Sequence, residues 1–253
     1  MGPVIVKGIS IGSGRPKICV PLVGETKAEI IDEARLVASL APDLVELRID
    51  FFKDVHDPAK VLDTLREARN ALGELPLLFT FRTRREGGKT SIDDAYYAEL
   101  NGIACKSALI DLIDVELNTP RSIRDAVIAM AREKGVFVVV SNHDFEKTPN
   151  VDELVDRLVA ASRIGDIAKI AVMPLSPEDV VSLLAATVAA KRQIGDAPII
   201  TISMGAFGVV SRLTGEAFGS AVTFGSAKAA SAPGQIPVAT LRTVLNVVHE
   251  SLH

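Results

Sequence analysis

The sequence has two cysteines, no tryptophan and no excess of positive charge in its 253 residues. Cys19 and Cys105 lack the spacing of a zinc site, a redox pair or a disulfide framework, so a reducing cytoplasm is the compartment expected. Lys and Arg number 28 against 32 Asp and Glu, a formal charge of -4, with no basic run to neutralise phosphates. Nucleic acid is therefore not an expected partner. The longest uncharged helical stretch, residues 180–190, is far shorter than the ~20 residues that cross a bilayer, so no membrane span is expected. The N-terminal residues 1–14 lack the apolar run of ~7 to 15 residues of a secretory signal. No G-x-G-x-x-G follows the first strand pattern and no G-x-x-x-x-G-K-[ST] occurs, so neither motif points to a nucleotide cofactor.

What is present is ordinary globular composition, 48% hydrophobic and 24% charged. A chain of this length can bury roughly 75% of its extended surface, so metals and disulfides are not needed for stability. β-Branched runs recur at 17–22, 43–50, 77–82, 109–117, 136–141, 168–173, 198–203 and 221–226, and seven of these eight are followed by a helical pattern. The link between the last two is the least regular. Caps followed by proline mark helix starts at Asp57-Pro58, Thr119-Pro120, Thr148-Pro149 and Ser176-Pro177. Thr26 with Glu29 makes a capping box, and Gly73 and Gly135 stand where helices should stop. Eight βα units in one domain spanning 1–253 fit a (β/α)8 TIM barrel, with a doubly wound open sheet as the alternative. The alternation of Val4, Val6, Ile9 and Ile11 around Gly8 predicts an N-terminal β-hairpin that closes the barrel floor.

Parallel strands bury both faces, so charges inside them need a reason. Period-two alternation places Glu46, Arg48 and Asp50 on one face of the second strand, Thr80 with Arg82 on the third, and Asp114 with Glu116 on the fourth. All would point into the barrel mouth, where barrel enzymes build their sites; a satisfied ion-pair network is the plain alternative. Lys169 interrupts the apolar sixth strand, sharing its face with Ala171 and Met173. Burial drives a lysine toward the neutral amine, which attacks carbonyls to form a Schiff base without metal or dissociable cofactor. A lysine snorkelling from a strand end is the other reading. His143 follows the fifth strand on the alternation of Ser141, and imidazole both takes and returns protons near neutral pH. Glu86, in the 84–89 segment with Gly87 and Gly88, could accept from a histidine nitrogen. Arg212 could clamp a carboxylate, and the turn at 231–235 could cover the mouth, although surface roles are the default for both. His56, His249 and His253 are assigned no role.

The segments 44–50, 77–88, 141–145, 168–174, 211–225 and 231–235, in this order at barrel strand ends, resemble type I 3-dehydroquinate dehydratase. The resemblance implies a dimeric (β/α)8 barrel of the shikimate pathway that uses no cofactor and no metal and converts 3-dehydroquinate to 3-dehydroshikimate by syn elimination of water. It implies that Lys169 forms the imine, that His143 is general base and then general acid, and that Glu86 orients the histidine. It further implies that Glu46, Arg48 and Arg82 bind substrate hydroxyls, that Arg212 clamps the carboxylate, and that Ser231 and Gln235 arrive with a closing loop. One departure stands out: members of that family often carry a serine in the first strand where this chain has Pro21, which cannot donate a hydrogen bond from its side chain or its nitrogen. A class I Schiff-base aldolase on the same barrel, and a barrel that only binds an anionic metabolite, remain rival readings of the chemistry.

Overall fold

The computed structural model describes residues 2–227 and 234–253. In chain order its elements are β1 (Val4–Val6), β2 (Ile9–Ile11), β3 (Lys17–Leu22), α1 (Lys27–Ser39), β4 (Leu44–Arg48), α2 (Pro58–Leu72), β5 (Leu77–Thr80), α3 (Asp94–Lys106), β6 (Leu112–Glu116) and α4 (Arg121–Glu133). They continue as β7 (Phe137–Asp144), α5 (Val151–Ile164), β8 (Ile167–Val172), α6 (Pro177–Ile194), β9 (Ile199–Ser203), α7 (Val209–Leu213), α8 (Gly215–Phe218), β10 (Val222–Ser226), β11 (Ile236–Pro237) and α9 (Val238–Leu252). Strands β3 to β9 pair in parallel in sequence order, β10 pairs with β3, and β9 meets the residue just ahead of β10 through the single bridge Ile199↔Ser220. The sheet therefore curls into the predicted barrel, and this bridge is its seam.

Alternation divides the strand residues between two cores. Ile18, Val20, Leu22, Val45, Leu47, Phe79, Ile113, Val115, Val140 and Ile170 face outward onto helices. The stripe Val61, Leu65, Ala68 and Leu72 of α2 meets them, fully buried. The inner core at the strands' N-terminal ends is aliphatic, formed by Cys19, Leu44, Leu78, Leu112, Val139, Ile167, Ile200 and Val222. The hairpin β1–β2 adds Val4, Val6 and Ile11 to that same cluster, so it closes the floor as expected. Its turn requires positive φ at both Lys7 (45°) and Gly8 (81°), the geometry of a two-residue type I′ turn. With the lower end filled by hydrocarbon, the polar inward residues are left at the C-terminal mouth.

The caps at Thr26, with its full capping box, and at Asp57, which accepts from Ala59 and Lys60 nitrogens, form as the sequence indicates. Gly73 takes up φ 58° at the end of α2, and Gly135 takes φ 70° just beyond α4. Two starts are corrected. Pro120, extended at ψ 132°, is itself the N-cap of α4, so Thr119 lies outside the helix. The Thr148 hydroxyl donates to Met173 O at 3.1 Å, and Asn150 caps α5 by accepting from Glu153 N. The strand predicted over 43–50 ends at Arg48, where Ile49–Phe51 tightens into a 3₁₀ turn, and that predicted over 109–117 begins only at Leu112. The irregular link between the last two barrel strands is two short helices, α7 and α8.

Candidate active site

The mouth holds one pocket, about 480 Å³ of non-atom space with its open entrance included, into which Glu46, Arg48, Arg82, Glu86, His143, Lys169, Arg212 and Gln235 all project. Eight of the nine residues that the resemblance assigns to the site therefore meet in one place. The ninth, Ser231, lies outside the described residues.

Lys169 sits mid-strand on β8, in register with Ser141 of β7 and Ile200 of β9, and is 4% exposed. Its surroundings are not purely aliphatic. Nζ lies 3.5 Å from Glu46 Oε1, 3.6 Å from Asp114 Oδ2 and 4.6 Å from the centre of the Phe224 ring. Two carboxylates thus stand beside the amine, and the face of the Phe224 ring lies within cation–π reach of it.

His143 lies two residues beyond Ser141 on β7, opposite Ala171, so the strand itself aims it at the space above Lys169. Glu86 approaches from the 3₁₀ turn Arg84–Glu86 after β5: its Oε2 accepts the His143 backbone N–H at 2.9 Å and stands 2.9 Å from Nδ1. Asn142 donates to the other oxygen at 3.2 Å, and Arg157 of α5 fixes Asn142 by donating to its Oδ1. Two contacts to one oxygen set the tilt of the ring. Burial, reinforced by the cations of Arg82, Lys169 and Arg48, holds His143 well below the ordinary imidazole value. Burial and the neighbouring Glu116 and Asp114 push Glu86 up to about 8 despite Arg82. The pair behaves as one unit that resists net charge.

Arg82 is the hub beneath this pair. It bonds Asp114 at 2.8 Å, Glu116 at 2.9 Å and Ser141 Oγ at 3.0 Å, and lies 3.7 Å from Glu86. Burial works against its cation, but these three acids outweigh it and hold the guanidinium above its ordinary value. Asp114 is pushed up by burial, and Arg82 and Lys169 more than reverse that, leaving it an anion below the usual carboxylate range. Arg48 makes a two-pronged pair with the fully buried Asp50, at 2.8 and 3.0 Å, and Asp50 also accepts from Lys89 N. The inward charges are thus both an ion-pair network and the pocket wall; the two readings of them were not exclusive.

Arg212 comes from α7, which Ser211 ties to β9 by accepting from Ser203 N at 3.0 Å and donating to Gly208 O at 2.7 Å. Although α7 is only a short helix in the connection after β9, Arg212 is 2% exposed, and burial draws its guanidinium down to about 10. The default of a surface arginine is thereby corrected. Phe145, Ile202, Met204 and Phe224 also line the pocket and were not singled out in the sequence. Aliphatic and aromatic side chains in a barrel read as core, and only the alternation that puts Phe224 in register with Cys19 could have placed it inside. Pro21 lies in β3 in register with Glu46.

The sequence pattern of the type I 3-dehydroquinase family matches residues 18–252. The chain is 49% identical over 251 residues to 3-dehydroquinate dehydratase of Listeria monocytogenes, covering 99% of both proteins. Against that of Clostridioides difficile the identity is 48%, covering 99% of this chain and 98% of the relative. Among solved structures, a type I 3-dehydroquinate dehydratase from Clostridium difficile with covalently modified comenic acid superposes at a TM-score of 0.96, with 48% identity, 99% of this chain and 100% of that one. The 3-dehydroquinate dehydratase from Geobacillus kaustophilus gives 0.96 at 43% identity, covering 99% of this chain and 98% of that one.

Proposed function

This chain belongs to the type I 3-dehydroquinase family, and on that premise we propose that it is a 3-dehydroquinate dehydratase whose Lys169 captures the substrate ketone as an imine. The observation that carries the reading is the convergence of a buried lysine amine, a histidine tethered at 2.9 Å by Glu86 and a buried arginine in one pocket.

The steps follow from the chemistry of those groups. Nζ gives up a proton to Glu46 and adds to the carbonyl carbon, and the proton then passes to the carbinolamine hydroxyl, which departs as water and leaves the iminium. The C–H next to the iminium is now acidic, because its electron pair delocalises onto nitrogen as an enamine. With Nδ1–H donated to Glu86, the Nε2 lone pair of His143 removes that proton. The enamine pair then expels the β-hydroxyl, which takes the same proton back from His143 and leaves as water. One histidine serving both proton transfers accounts for a syn outcome. Water finally adds to the iminium and frees 3-dehydroshikimate and Lys169. Arg212 holds the substrate carboxylate, Glu46, Arg48 and Arg82 meet its hydroxyls, and Gln235 is assigned a further substrate contact together with Ser231, which lies outside the described residues.

No dissociable cofactor enters these steps. The covalently modified comenic acid described in the Clostridium difficile relative is in keeping with covalent chemistry in that protein. An aldolase on the same scaffold would break a C–C bond, whereas this scheme only removes water, so product analysis separates the two. The chain is further read as one cytoplasmic barrel domain that pairs as a homodimer. Both thiols are buried and unbridged, with Cys105 pushed up to about 11 by burial, and Leu175 and Val181 expose apolar surface near the start of α6. The test of function is turnover of 3-dehydroquinate, followed by absorbance of the conjugated product. Lys169→Ala is expected to lose turnover while keeping the native circular dichroism spectrum, and His143→Ala to slow turnover by ~10² to 10⁴-fold. Full activity in either variant overturns the assignment.

A further inference from the structure

At the opposite end of the barrel from the pocket, the described residues gather Glu216, His249 and His253, whose candidate ligand atoms all lie within 4.8 Å of one another. The reaction uses none of them. His249 and His253 are four residues apart at the C-terminal end of α9, so they share one helix face. Glu216 faces them from α8, its Oε1 2.6 Å from His249 Nδ1 and 3.4 Å from His253 Nε2.

A salt bridge alone does not account for the arrangement. The Glu216 side chain is 9% exposed, and its second oxygen, Oε2, is buried with no hydrogen-bond partner. A buried carboxylate oxygen without a donor is costly, and a cation held on Oε1 would lower that cost by neutralising the charge the two oxygens share. Two imidazoles and one carboxylate form the donor set that zinc-class divalent ions take in three-ligand sites, with a water completing the tetrahedron. Tetrahedral bonds of ~2.0–2.1 Å put ligand atoms ~3.3 Å apart, so the 3.4 Å contact already fits, the 2.6 Å contact opens modestly, and the two histidine atoms, within 4.8 Å of each other, draw together on the ion. The histidine side chains are 37% and 66% exposed, which gives an ion a path in.

The placement suggests what such an ion does. Glu216 stands four residues before Ser220, whose bridge to Ile199 joins β9 to β10 at the barrel seam, backed by Ala221 N donating to Ile199 O at 2.7 Å. We propose that Glu216, His249 and His253 form a zinc-class divalent cation site that clips the last helix to the connection crossing this seam. It would act on stability, with catalysis left to the distant pocket.

The experiment titrates metal-free full-length protein with Co²⁺, reading the visible absorption of tetrahedral cobalt, displaces it with Zn²⁺, and follows Tm with and without Zn²⁺. The wild type should bind one equivalent and show a Tm that rises with zinc concentration. His253→Ala and Glu216→Gln should each weaken binding at least tenfold and remove the rise, with dehydratase turnover unchanged as the check of folding. Absence of tetrahedral cobalt absorption, equal binding in the variants, or binding without a rise in Tm overturns the proposal. None of these outcomes bears on Lys169, so failure here leaves the dehydratase reading standing.

Discussion

At the residue scale the site turns on the proton shared between Glu86 and His143. When Glu86 is ionised it accepts Nδ1–H and leaves Nε2 with a free lone pair. When Glu86 is protonated it gives its own hydrogen to Nδ1, so Nε2 carries one and the base is lost. Only the ionised carboxylate therefore supports proton abstraction, and the carboxyl is pushed up to about 8. The sign follows: kcat/KM should rise with pH toward about 8 as the pair sheds its proton, then level. In Glu86→Gln the side-chain oxygen still accepts Nδ1–H but cannot be protonated. The acid limb then belongs to His143 alone and should move below the ordinary imidazole value, since burial and three cations hold it there. A pH profile of kcat/KM for both proteins checks this, and an acid limb unmoved by the substitution would contradict it.

At the element scale, the short 3₁₀ turn after β5 matters more than its three residues suggest, because it alone carries Glu86 to the histidine. The turn is closed by Gly87 at φ 84° and by Gly88, whose nitrogen donates to Thr83 O at 2.8 Å. A Cβ on Gly88 would fall 1.8 Å from the Arg82 carbonyl oxygen, and one on Gly87 would fall 2.3 Å from the Phe145 ring. Gly88→Ala must displace the turn, and a misplacement near 1 Å can lower catalysis by ~10²-fold. The expected result is a kcat reduced by about that factor with the barrel intact by circular dichroism, measured on purified protein. The same segment shows where sequence was informative. Alternation in β4, β6 and β8 identified Glu46, Arg48, Asp114, Glu116 and Lys169 as inward residues, because a strand's two-residue period admits one assignment of faces. Capping at Thr119 and Thr148 misled for different reasons: Pro120 itself takes the cap position before α4, and the Thr148 hydroxyl bonds the Met173 carbonyl instead of a helix nitrogen. Arg212 was undervalued because burial of a loop residue depends on what packs over it, which local pattern does not encode.

At the scale of the whole molecule, the barrel separates hydrocarbon from charge along its axis. The floor is sealed by Ile11 and its aliphatic neighbours, and the mouth concentrates arginines, acids and one lysine, with Arg48 paired to Asp50, Arg82 to Asp114 and Glu116, and Lys169 beside Glu46 and Asp114. Removing the lysine leaves Asp114 still bonded to Arg82 and Glu46 still accepting from Thr80 at 3.0 Å. The loss should therefore stay below the ~3–5 kcal/mol typical of breaking an isolated buried ion pair, which is why a Lys169 variant can be expected to fold and to report on chemistry alone. The central claim is covalent capture of a ketone by that amine. Its most direct measurement is borohydride reduction of the protein in the presence of 3-dehydroquinate, followed by peptide mass spectrometry. The account predicts a stable adduct on the peptide containing Lys169 and none in Lys169→Ala; an unmodified Lys169 in protein that is turning over substrate would contradict it.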